Sequence, residues 1–126
     1  MRTRYSACIE MLFVPETDDV AERIRMAADA GLDGVEFWRW TNKDIASIAL
    51  ALQQTGLPLT AMVAEPMIDL TDAANHEAFI AGLKATVAQA QRLQAPTLIA
   101  QSGALLAAPS RPVQRAALVD GLRRAA

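Results

Sequence analysis

The sequence has 126 residues, 52% of them apolar and 21% charged, proportions that suit a globular chain and exclude a disordered one. Its formal charge is −2, with 12 basic residues scattered among 14 acidic ones, so no field of one sign exists to attract a phosphate backbone or an anionic lipid surface. Nucleic acid and membrane partners are therefore not expected. Cys8 is the only cysteine, which rules out an intrachain disulfide and a CxxC metal or redox site and fits a reducing compartment. Arg2 and Arg4 precede an apolar stretch as in a signal peptide, but Glu10 interrupts it and Pro15 follows too soon. No run approaches the ~18 apolar residues of a membrane span, and the expected location is the cytoplasm.

Along the chain, apolar runs of strand length alternate with longer stretches of helical period, the pattern of βαβ units and a parallel sheet. A first strand over Tyr5–Phe13 precedes a helix over Asp18–Ala30 that turns Val20, Ile24, Ala27 and Ala28 inward and leaves Arg23 mostly outside. Thr17 or Asp18 is placed to cap this helix, and Gly31 to end it. The second unit is a strand over Gly34–Trp38 and a helix over Asn42–Thr55 with the stripe Ile45, Ile48, Ala49 and Leu52, stopped by Gly56 and Pro58. The third is a strand over Leu59–Ala64 and a helix over Ala74–Leu93 presenting Phe79, Leu83, Val87 and Ala90. Pro96 breaks into a fourth strand over Thr97–Gln101, and a loop of small residues leads to a helix from about Pro112, a residue suited to a first turn. Ala30-Gly31-Leu32 and Thr55-Gly56-Leu57 repeat one helix-to-strand junction. The strands are expected in the order one, two, three, four, parallel, with helices on one face only.

Three stretches carry a resemblance. Ala7–Phe13, Ala30–Trp38 and Leu98–Gly103 look like strands one, two and four of the hydroxypyruvate isomerase group, within the xylose-isomerase-like TIM barrels. The resemblance implies an α/β fold, a (β/α)8 TIM barrel of which residues 1–126 supply the first four βα units, since a complete barrel takes roughly 250 residues. It implies a metal-dependent isomerase or epimerase of a small hydroxy-carbonyl compound or sugar, with Mg2+ or Mn2+ polarising oxygens while carboxylates move a proton. The family's metal ligands and proton-transfer glutamates lie on strands five to eight, so none is expected in this chain. By itself the chain is expected to be inactive and to form a homo-oligomer or pair with a complementary C-terminal half.

In such barrels the site lies at the C-terminal strand ends. Alternation places Glu36 and Trp38 on one side of the second strand and Val35 and Phe37 on the other, so Glu36 faces the barrel interior. There it either binds a substrate hydroxyl or pairs with a basic residue elsewhere. Glu10 shares parity with Cys8, Glu65 ends the third strand before Pro66, and Gln101 ends the fourth. With Trp38, whose indole suits the apolar side of a polyol, these are candidates for substrate binding. His76 is the only histidine and reads as a solvent-exposed residue at a helix start. A DNA-repair endonuclease of the same superfamily would need several histidines for its metals. The alternative from a different class is a non-catalytic, self-associating α/β binding module.

Overall fold

A computed structural model describes residues 2–126. Four parallel strands, β1 (Ser6–Cys8), β2 (Gly34–Phe37), β3 (Leu59–Val63) and β4 (Leu98–Ile99), form one sheet in the order β1-β2-β3-β4. They alternate with helices α1 (Val20–Asp29), α2 (Ile45–Thr55), α3 (His76–Leu93) and α4 (Arg111–Ala125), and a single 3-10 turn, Ala73–Asn75, leads into α3. The expected order and direction of the strands are those observed.

Local chemistry explains the helix boundaries. Asp19, one residue beyond the expected caps, accepts the Ala21 N–H at 2.9 Å to start α1. Asp44 accepts the Ala46 and Ser47 N–H groups and the Ser47 hydroxyl to start α2, and these bonds, the hydroxyl foremost, lower its pKa. Gly31 and Gly56 take the left-handed conformation just past their helices. Gln94 does the same after α3 without being glycine.

Strand alternation, with a register shift where Val35 pairs with Leu59 and Glu36 with Ala61, then divides the sheet. Ile9, Val35, Phe37, Leu59 and Met62 are buried in one core with Ile24, Ala27, Ile48 and Ala51 of α1 and α2. A second cluster of Ala64, Leu70 and Phe79 takes in Leu83 from α3 and Leu118 from α4. Ser6, Cys8, Glu36 and Ile99 lie on the other, helix-free face, where Ser6 and Ile99 are exposed. Cys8 pairs in register with Glu36, and Glu36 with Ala61. At the lower end of that face Ser6 Oγ meets Thr60 Oγ1 at 2.7 Å above Gly34, where a Cβ would lie 2.8 Å from Thr60 Cγ2. The arrangement is half of a TIM barrel, an open sheet with helices on its convex side.

Several expected features differ. β1 stops at Cys8 because its carbonyl accepts the Met11 and Leu12 N–H groups, turning the chain before Glu10. β4 is two residues long, since β3 is its one neighbour in the sheet. In α3 Thr86 takes the buried place expected for Val87, which is exposed. Arg23 is buried rather than outside, because its guanidinium folds back onto the Thr17 and Ile9 carbonyls at 2.8 and 3.2 Å. His76 is also buried, with Nε2 3.1 Å from the Leu70 carbonyl and Nδ1 3.5 Å from Asp120. Gly121 makes room for the imidazole: a Cβ there would lie 2.9 Å from Nε2. The exposure expected of a helix start is overridden by the seam between α3 and α4.

Candidate functional site at the strand ends

Three glutamates stand at the C-terminal ends of three adjacent strands, and the structure uses them differently. Glu10, in the turn after β1, accepts the Trp38 N–H at 3.1 Å and pairs with Lys43 Nζ at 2.5 Å. Lys43 is itself buried, 5.4 Å from the centre of the Phe37 ring. Glu10 therefore anchors both ends of the loop from Trp38 to Asp44 that joins β2 to α2.

Glu65, just past β3, is 3% exposed. Its carboxylate accepts from Arg39 Nε at 3.1 Å, Thr41 Oγ1 at 2.8 Å, and the Trp40 and Thr41 N–H groups at 2.8 and 3.0 Å. Burial by itself raises its pKa, but the donors of Thr41, Arg39 and Trp40 outweigh it and hold the carboxyl below the ordinary glutamate value. The Trp40 indole N–H and the Glu65 N–H both donate to Thr86 Oγ1, at 3.0 and 3.1 Å. Gly82 allows α3 to approach this closely, because a Cβ there would lie 2.7 Å from the Glu65 carbonyl oxygen.

Glu36, between these two, accepts the Ile9 N–H through its carbonyl at 3.0 Å, but its carboxylate has no hydrogen-bond or ion-pair partner among the described residues. It is half-buried on the concave face beside Cys8. Burial pushes the Cys8 thiol pKa up, and the charges of Glu36 and Glu10 push it further. Trp38 shares parity with Glu36 and is 44% exposed, so its side chain is partly open to solvent at the mouth. Gln101 is exposed past β4. Lys43 and Thr86 were not among the expected site residues; each lies in a helix-side pattern that, read locally, gives no sign of a strand-end partner. Among the described residues no three His, Cys, Asp or Glu side chains converge as metal ligands. No helix there is long and apolar enough to cross a membrane.

Comparisons with known proteins bear on this geometry. The family model described as xylose isomerase-like TIM barrel matches residues 24–126. No curated protein matches the chain. Among solved structures, an AP endonuclease, family 2, from Brucella melitensis superposes with a TM-score of 0.88 at 24% identity, over 98% of this chain and 50% of that one. A 3-keto-D-glucoside 4-epimerase from E. coli gives 0.79 at 16%, over 97% and 50%. A protein from Sinorhizobium meliloti gives 0.77 at 20%, over 96% and 44%. At these identities the likeness establishes the fold, and the chain spans about half the length of each structure.

Proposed function

The chain belongs to the xylose isomerase-like TIM barrel family, and we propose that within an intact barrel it forms the N-terminal half of a site that isomerises or epimerises a small hydroxy-carbonyl compound or sugar. The observation that carries this reading is Glu36, an unpartnered carboxylate at the end of a central strand, between two glutamates that are already engaged. A carboxylate so placed accepts hydrogen bonds from substrate hydroxyls, and the exposed Trp38 indole offers a face to the C–H side of a polyol. Gln101, exposed past β4, supplies an amide to a substrate oxygen. Sharing a fold with a keto-glucoside epimerase supports the substrate class. Phosphodiester cleavage has less support from this half, whose net charge is −2.

The reading includes hydroxypyruvate or a simple ketose as substrate, a divalent metal such as Mg2+ or Mn2+, and a cytoplasmic location. The described residues do not cluster as metal ligands, and this reading takes the ligands and the proton-transferring groups from the complementary half of the barrel. Pairing of the chain with that half, or with a second copy, belongs to the same proposal. The test is turnover of hydroxypyruvate and simple ketoses by the intact barrel with Mg2+ or Mn2+. Glu36→Gln is expected to lower kcat/KM by about 10-fold or more, the loss of a charged hydrogen bond to substrate. Unchanged kinetics in that variant, or turnover by residues 1–126 alone, would refute the assignment.

A further inference from the structure

Glu65 has no acceptor capacity left for a ligand. A carboxylate offers about four lone-pair sites, and all four of its contacts come from three consecutive residues, Arg39, Trp40 and Thr41. The same loop is tied to α3 through the Trp40 indole and Thr86. Immediately before it, Trp38 is held at its backbone: its N–H bonds Glu10 and its carbonyl accepts the Val63 N–H at 3.0 Å. Its side chain is partly open at the mouth, and the next residue is the first of the three that Glu65 holds.

We infer that Glu65 is a positioning residue, which acts through Arg39, Trp40 and Thr41 to hold the Trp38 indole at the mouth beside Glu36 and does not itself touch substrate. The inference rests on the reading of Glu36 and Trp38 as substrate-binding groups. Removing the negative charge leaves two part-buried backbone N–H groups and the half-exposed Arg39 guanidinium with fewer acceptor sites and no anion to share, and the loop moves to find water. Arg39 is the charged group facing Glu65; from α3 it meets Thr86 and Gly82, neither of which titrates. Because the folded pKa lies below the ordinary value of 4.5, the clamp is fully present above that value and is lost as pH falls through the folded one.

Residues 1–126 contain two tryptophans, and in the intact barrel labelled with 5-fluorotryptophan their two 19F resonances are assigned with Trp38→Phe and Trp40→Phe. Glu65→Gln is expected to shift and broaden both at neutral pH. Thr41→Val, which keeps the carboxylate and removes one donor, should move them in the same direction by less. Wild type should reach the Glu65→Gln positions on acidification, and the variant should show no such transition. In turnover, Glu65→Gln should raise KM by about fivefold or more with kcat within about twofold, whereas a merely structural lesion lowers the active fraction and leaves KM unchanged. A Trp38 resonance unmoved by Glu65→Gln, an acid transition that persists in the variant, or a fall in kcat at constant KM would each overturn the inference. If Glu65→Gln does not fold, a Trp38 resonance that stays fixed both in Thr41→Val and on acidification of wild type would overturn it. Resonances that move as expected in a protein without isomerase activity would sink the enzymatic reading and leave the clamp standing.

Discussion

Replacing Thr86 by Val keeps the shape of the side chain and removes one hydroxyl, at a residue with no exposed surface. The loss falls on two donors. The Glu65 N–H, fully buried, donates to Thr86 Oγ1 at 3.1 Å, and a buried donor left without a partner costs about 1–3 kcal/mol. The Trp40 indole N–H, partly buried, donates to the same oxygen at 3.0 Å, and losing an ordinary hydrogen bond there costs about 0.5–1.5 kcal/mol. The hydroxyl's own donation, to the Gly82 or Glu65 carbonyl, is the smaller matter, since an α3 carbonyl keeps its helical partner. Thr86→Val should therefore destabilise the protein by about 1.5–4.5 kcal/mol, read as a lower urea midpoint with an unchanged slope. Val87→Thr, at the exposed neighbouring position, should change stability by less than about 0.5 kcal/mol. A Thr86→Val variant within that same margin would show that this hydroxyl does not satisfy the two donors, and the account of the junction between β3, α3 and the Trp38–Asp44 loop would fall with it.

Gly82→Ala improves intrinsic helix propensity by about 1 kcal/mol, yet its Cβ would lie 2.7 Å from the Glu65 carbonyl oxygen and against the Pro66 ring. Overpacking should win, with a net loss of about 1–3 kcal/mol in urea unfolding; a stabilised variant would show that α3 can move away freely. Cys8, whose thiol is pushed up first by burial and then by Glu36 and Glu10, should react with iodoacetamide at neutral pH more slowly than free cysteine. Glu36→Gln should speed that reaction, and an unaltered rate would separate the two side chains on the concave face.

What the sequence discloses follows from how local each cause is. The switch between a period of two and a period of 3.6 is written in neighbouring residues, so the four βα units, their order and the face carrying Val35 and Phe37 could be read directly. Gly31 and Gly56 announced their helix ends for the same reason, while Gln94, in the left-handed conformation without glycine's freedom, did not. Failures came where a distant partner decides. His76 has the sequence surroundings of an exposed helix start, and it is buried because α4 brings Gly121 against its ring. Arg23 sits on the outer arc of a helical wheel, but its long side chain returns to carbonyls of the preceding loop. The position of Glu65 at a strand end was legible; its four donors, all from the loop after the neighbouring strand, were not.

The charges at the mouth give a reason for the division of labour among the three glutamates. Carboxylates at the ends of three adjacent strands repel one another, and in a partly desolvated site that repulsion is weakly screened. Lys43 neutralises Glu10 and Arg39 neutralises Glu65, and both pairs are made by the loop between β2 and α2. That loop therefore removes charge on either side of Glu36 while leaving Glu36 itself uncompensated among the described residues. The remaining single negative charge is tolerable only while water reaches the concave face. In the proposed barrel, closure would take that water away, and an ionised Glu36 would then need positive charge or hydroxyl donors from whatever covers it. A polyhydroxylated substrate or a basic residue or metal ion from the complementary half satisfies this condition, and an apolar cover does not. On the proposed reading, solvent exclusion and ligand binding would be coupled at one carboxylate: ionised, it is stable in a closed site only if the site is filled or paired.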